Sequence, residues 1–134
     1  MGEVVLASLG MPRPDLVAGM SLGADPIVAA VAVASDSIPP TIDGVLVRKA
    51  SKQHGTGRLL EGPWESGQTC VVLEDTSTTG SSALQAVSAL RSEGVQVEKV
   101  ISLVDREEGA AQRISAAGLA FQAIFTLTEI LQAE

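Results

Sequence analysis

The sequence predicts an α/β protein in which a mostly parallel central sheet carries helices on both faces. Short Val/Leu/Ile runs alternate with helical periodicities along most of the chain, and repeated strand–helix–strand alternation implies right-handed crossovers between parallel strands. The composition agrees. Hydrophobic residues make up 46% of the 134 but aromatics only 2%, so the interior must be aliphatic, which suits strands covered on both sides. A chain of this length fits one domain, 1–134.

Residues 2–9 read as the last turns of a helix closed by Gly10. So short a helix is poorly nucleated alone, and residues 1–10 are expected to be the remnant of a longer N-terminal segment. Leu16 to Met20 reads as a buried strand. Asp25 and Pro26 offer an N-cap and a proline at the first helical position, opening an Ala/Val-rich helix to about Ser35. Pro39 and Pro40 end that region. Val45 to Arg48 is the next strand, and residues 50–58, poor in apolar side chains, read as a mobile loop. Leu59-Leu60 suggests a short return strand before the Glu61-Gly62-Pro63 turn, which Trp64 would seal. Thr69 to Leu73 is a buried strand. Gly80 to Glu93 is helical, with Ala83, Val87 and Leu90 on one face and Gly94 as its stop. A strand at Val100 to Val104, a helix at Glu107 to Ala117, a stop at Gly118 and a strand at Leu119 to Thr126 complete the pattern.

Composition also excludes several classes. The longest apolar run, Ile27 to Ala34, is eight residues, too short for a bilayer, and no signal peptide is readable, so a cytoplasmic protein is expected. Cys70 is the one cysteine; it permits no internal disulfide, leaves no thiol cluster for zinc, and in its Val/Leu run reads as a small buried hydrophobe. A net charge of −7 argues against a nucleic-acid partner. Within that acidic chain Arg48, Lys49, Lys52 and Arg58, four of the nine basic residues, fall within eleven positions with no acid between them. The cluster is either a solvated loop or one built to meet a compact polyanion.

In an open α/β sheet, ligands sit beyond the carboxyl ends of the strands. Three polar groups are expected there: the basic loop, the acidic pair Glu74-Asp75 with the turn after it, and Asp105-Arg106. The most informative stretch runs from Val71 to Ser82. A strand ends in two acids, and Thr76, Ser77, Thr78, Thr79, Gly80, Ser81 and Ser82 then lead into a helix. Hydroxyls, backbone N–H groups and a helix N-terminus together make an anion cradle. It is not a Walker A loop, because no Gly-Lys-Ser/Thr is present. The plainer alternative is a Ser/Thr-capped helix, which accounts for one or two of these hydroxyls. For Arg106 it is an ion pair with Glu107 or Glu108, and for His54 a solvated surface position.

Two acids followed by a Thr/Ser/Gly-rich turn resemble the phosphoribosyl pyrophosphate (PRPP) motif of type I phosphoribosyltransferases, whose core is Rossmann-like. Arg48-Lys49-Ala50-Ser51-Lys52-Gln53-His54-Gly55 resembles the catalytic loop of orotate phosphoribosyltransferases, and Val104-Asp105-Arg106 is similar to that family's Asp-Arg. The three occur in family order, and the resemblance runs from about Val17 onward. It implies that Glu74 and Asp75 hold the ribose 2′- and 3′-hydroxyls and that Thr76 to Ser82 bind the 5′-phosphate. It implies further that Thr78 and Arg106 contact orotate, the arginine as a planar fork for its carboxylate. Arg48, Lys49, Lys52 and His54 would contact pyrophosphate, Lys49 and other loop groups doing so in a neighbouring subunit's site, with Lys52 and His54 as catalytic residues. Mg²⁺ is the implied cofactor, held mainly through PRPP near Glu74 and Asp75, and the partner a second copy in a homodimer with shared sites.

The resemblance departs from the family in two places. No counterpart is found for its N-terminal helix and strand-rich hood, and Ser21-Leu22-Gly23 stands where many members have an aromatic–lysine pair. Two other readings therefore stand beside an orotate enzyme of UMP biosynthesis. One is a phosphoribosyltransferase for another base; the other is a PRPP-binding regulator or catalytically impaired relative.

Overall fold

The computed structural model describes residues 1–49 and 58–133. Among them the elements run α1 (Gly2–Ser8), β1 (Leu16–Met20), α2 (Asp25–Asp36), β2 (Asp43–Val47), β3 (Leu60–Glu61), β4 (Thr69–Ser77), α3 (Ser81–Ser92), β5 (Gln96–Asp105), α4 (Ala110–Ala116), β6 (Ala120–Thr126) and α5 (Leu127–Gln132). One sheet of order β3-β2-β1-β4-β5-β6 holds all six strands. Every neighbouring pair is parallel except β2–β3, the antiparallel return that leads the chain back from the basic segment.

Alternation along the strands divides the core in two. Leu16, Ala18, Val72, Val97 and Val100 face α3 and α4, packing with Leu90 and Ile114. Val17, Val71, Leu73 and Ile101 face α1 and α2, packing with Val5, Ile27 and Val31. Val97 and Val100 share a face three residues apart because the β4–β5 register shifts there: Cys70 pairs with Val97, and Val71 with Lys99. Glu98 is the extra residue of that bulge, and without it the second half of β5 would present its polar side inward. Cys70 is 3% exposed, and burial pushes its thiol up to about 12, so it is a packing residue, as expected.

Polar pins set where the strands start. Thr69 N–H donates to Asp15 Oδ2 at 2.9 Å, and Asp15 N–H donates to Thr69 Oγ1 at 3.1 Å, locking the beginnings of β1 and β4 together. The wholly buried Ser35 accepts from Ile42 N–H at 2.8 Å and ties the end of α2 to the entry of β2. At the turn before β4, Gly67 N–H donates to Gly94 O and Gln96 N–H to Gln68 O. Trp64 packs there, half-buried, against the α3-side core.

Several boundaries differ from the sequence reading, each for a tertiary reason. β4 does not stop at Leu73 but runs to Ser77, and β5 reaches Asp105, because the two strands keep pairing through Ser77↔Asp105 after the apolar run has ended. The helix expected from Glu107 begins only at Ala110: Glu107 and Gly109 adopt positive φ in a turn that Asp105 closes by accepting Glu107 N–H at 2.9 Å. Asp25 does not cap α2. It lies inside the helix after Ala24, and its Oδ1 accepts from Ser21 Oγ at 2.8 Å. Helix α5 was not expected, although Thr126 and Glu129 form a reciprocal capping box at its start. Most of the loop expected at 50–58 lies outside the described residues.

Leu90 is fully buried between α3 and the sheet. Leu90→Ala should destabilise the fold by roughly 2–5 kcal/mol, read as a lower urea midpoint with an unchanged slope.

Candidate active site

The candidate site forms where β1 ends before β4 does. β1 pairs with β4 only as far as Ala18↔Val72 and stops at Met20, so the last residues of β4 keep β5 on one side and open a cleft on the other. Met20, Ser21, Gly23, Ala24, Lys49, Glu74, Asp75, Thr76 and Ser82 line that cleft, whose volume is about 130 Å³. The cleft opens to solvent. Gly23 lets the β1–α2 loop approach the acids: a Cβ at that position would stand 3.1 Å from Asp75 Oδ1.

The two acids differ in environment because adjacent strand residues project to opposite faces. Glu74 is 7% exposed, whereas Asp75 is exposed. Burial, followed by the neighbouring Asp75 charge, raises Glu74 to about 7, so near neutrality it is poised between its two forms. Asp75 Oδ1 accepts its neighbour Thr76 N–H at 2.7 Å, which orients the carboxylate. Among the described residues no cluster of three or more His, Cys, Asp or Glu could hold a metal by itself.

The hydroxyl turn follows directly. Gly80 sits at the N-cap of α3 with φ +87°, a conformation other residues adopt at a cost. With no side chain, it leaves the first-turn N–H groups of α3 facing the turn. Thr79 Oγ1 and Ser81 Oγ lie 3.0 Å apart. The turn is joined to the next strand end: Arg106 N–H donates to Ser77 O at 2.9 Å and Ala110 N–H to Thr78 O at 3.1 Å. Asp105 is buried beneath them, 3.4 Å from Ser77 Oγ.

The structure thus brings Lys49, Glu74, Asp75, Thr76 and Ser82 onto one cleft and sets Ser77 to Ser81 beside it. Arg106 lies on the neighbouring strand end, half-exposed and 3.5 Å from Glu108 Oε1, so the plainer ion-pair alternative is also realised. Arg48 forms an ion pair with Glu61 across the β2–β3 return. Lys52 and His54 lie outside the described residues. Sequence reasoning missed Arg113, whose Nη1 donates to Ser81 Oγ at 2.8 Å; no local pattern signals a contact between residues so far apart in the chain. Glu107, the other partner considered for Arg106, instead accepts from Thr128 N–H at 3.0 Å through Oε2 and anchors α5 to the Arg106 turn; the capping box at 126–129 was the available clue to that helix.

Glu74 gives the site a pH signature. Its folded pKa lies above its unfolded value, so folding favours the protonated form, and stability is lost as pH rises from about 4.5 through about 7. Glu74→Gln should therefore raise the melting temperature relative to wild type at pH 8, and this gain should vanish near pH 4. Equal effects at both values would contradict the assigned environment.

No protein-family model matches the chain. Individual relatives do. The orotate phosphoribosyltransferase of Nostoc sp. is 46% identical over 129 residues, covering 96% of this chain and 63% of the relative. The chain therefore spans somewhat less than two-thirds of that protein's length. The orotate phosphoribosyltransferase of Streptomyces avermitilis is 41% identical over 131 residues, covering 97% of this chain and 72% of the relative. Among solved structures, the Mycobacterium tuberculosis orotate phosphoribosyltransferase in complex with PRPP superposes with a TM-score of 0.82 at 36% identity, covering 96% of this chain and 72% of that one. Shared sequence at this level, on a shared mostly parallel fold, means that the chain belongs to the orotate phosphoribosyltransferase family.

Proposed function

We propose that this chain transfers the phosphoribosyl group of PRPP to orotate, giving orotidine 5′-monophosphate and pyrophosphate in pyrimidine synthesis. The observation that carries the reading is the meeting of Glu74, Asp75, Thr76, Ser82 and Lys49 on one cleft at the end of β4. The PRPP complex of a relative 36% identical to this chain supports the choice of donor.

Glu74 and Asp75 take the ribose hydroxyls, acceptors facing donors. The turn 76–82 takes the 5′-phosphate through hydroxyls and the N–H groups of α3. Thr78 and Arg106 take orotate, and its carboxylate replaces Glu108 as the partner of the guanidinium. Arg48, Lys49, Lys52 and His54 take the pyrophosphate end. N1 of orotate, giving up its proton to solvent, attacks C1′ as the bond to pyrophosphate breaks, through a transition state with oxocarbenium character. Negative charge grows on the departing diphosphate, and a cationic segment stabilises it there. Closure of that segment would also keep water from the donor.

The acids suit a divalent cation. Two adjacent carboxyls, one held near half-protonation by burial and its neighbour's charge, gain from a positive ion close by. With no third protein ligand grouped near them among the described residues, such an ion would draw its other ligands from the donor's oxygens and water. Bound Mg²⁺ would supply charge neutralisation at the ribose and diphosphate oxygens. The reading includes a cytoplasmic homodimer with shared sites, in which basic residues beyond Lys49 serve a neighbouring subunit's site. Among the described residues, no helix is long and apolar enough to cross a membrane.

The test combines protein, Mg²⁺, PRPP and orotate and follows loss of orotate absorbance. Conversion is expected; PRPP-dependent thermal stabilisation without conversion would instead identify a donor-binding protein lacking transferase activity. Lys52→Ala should lower kcat roughly a hundredfold or more while leaving PRPP affinity within a few-fold; equal losses in both would remove its transition-state role. Arg106→Ala should raise the KM for orotate roughly tenfold or more with little change in that for PRPP.

A further inference from the structure

Arg113 is a cation on the hydroxyl turn to which the assignments above give no role. It lies in the last turn of α4 and is exposed, yet its Nη1 donates to Ser81 Oγ at 2.8 Å across 32 residues of chain. The docking of α4 puts it there. Ala110 N–H is bound to Thr78 O at 3.1 Å, and Ile114 packs so closely on Gly80 that a Cβ there would meet Ile114 Cγ1 at 3.2 Å. Helix α4 is therefore held on the hydroxyl turn by a backbone bond and by apolar contact, with Arg113 directed at the same turn.

Counting donors and acceptors gives the contact a consequence. A guanidinium can only donate, so Ser81 Oγ is the acceptor and its own hydrogen must point elsewhere. Thr79 Oγ1, 3.0 Å away, can accept it and keep a second lone pair for Ser81 N–H at 3.4 Å. Ser81 Oγ thus accepts on the Arg113 side and keeps its hydrogen for the turn, where Thr79 Oγ1 or a ligand oxygen can take it, and a charged neighbour strengthens it as a donor. The segment Thr76–Ser82 contains hydroxyls and N–H groups but no cation, whereas a phosphate monoester near neutrality carries close to two negative charges.

We propose that Arg113 is a binding residue for the 5′-phosphate of the donor, orienting the Ser81 hydroxyl and bringing positive charge to the turn. The inference rests on the assignment of 74–82 to the donor. It adds α4 to a site otherwise built from the ends of β1, β2, β4 and β5 and the start of α3.

The experiment measures equilibrium binding of two fragments of the donor, ribose 5-phosphate and inorganic pyrophosphate, each with Mg²⁺, to wild type, Arg113→Met and Arg113→Lys. Arg113→Met should weaken ribose 5-phosphate roughly tenfold or more while changing pyrophosphate by no more than about twofold, with Arg113→Lys intermediate for ribose 5-phosphate. Unaltered binding of ribose 5-phosphate to Arg113→Met, or equal loss of both fragments, overturns the proposal while leaving the donor site intact. A wild-type protein that binds neither fragment removes the donor assignment and this inference with it. Thermal unfolding monitors the fold of each variant. Should Arg113→Met melt early, Arg113→Lys decides, because it keeps the charge and must then bind ribose 5-phosphate more tightly than the methionine variant.

Discussion

The pairing of β4 with β5 is the constraint on which the site depends. The two strands stay in register from Thr69↔Gln96 to Ser77↔Asp105, with one shift at Glu98. Aliphatic packing holds the first part, where Val72, Leu73, Val100 and Ile101 are almost or wholly inaccessible. The last part carries Glu74, Ser77 and Asp105, which no hydrophobic gain would order by itself. Backbone bonding extends from the dry segment into the polar one, so the acids and hydroxyls project from a stiff ribbon rather than a free loop. A slip by one residue would exchange Glu74 and Asp75 between faces and dissolve the arrangement.

Electrostatics adds a second layer. Glu74 is held in a setting that disfavours its charge, with another acid beside it. Structural economy alone would remove such a pair, because a buried carboxyl that must ionise costs stability. Its presence is intelligible if the pair meets hydroxyl donors and a cation only when the site is filled. The opposite requirement applies to Lys49, which lines the cleft from the end of β2. Acidic and basic side chains thus face each other across one small cleft.

Most of the architecture was readable because it follows from local pattern. The strands at Leu16 and Thr69, the helices starting near Asp25 and Gly80, and the glycine stops rest on periodicity and backbone preference, which act over a few residues. What was not readable depends on partners distant in sequence. Nothing in Glu74-Asp75-Thr76-Ser77 announces strand; β5 imposes it. Glu107 looks like a helix start, but the Asp105 carboxylate turns the chain and delays α4 to Ala110. Within the site, the cluster from Glu74 to Ser82 was legible as a contiguous stretch; the place of Lys49 on the cleft of its own chain was not, because the resemblance sends it to a neighbouring subunit. The contact of Arg113 with Ser81 was not, because it arises only when α4 docks beside Gly80.

The single tryptophan of the chain packs at the turn before β4, whereas the cleft opens where β4 finishes. The part of that strand from Thr69 to Glu74, about 17 Å by its rise per residue, separates the two. Trp64 emission is therefore a clean reporter of whether the sheet and α3 remain assembled, and a poor one of whether anything occupies the cleft. Optical titrations of ligand binding need a chromophore introduced near the far end of the sheet, or the absorbance of the base itself.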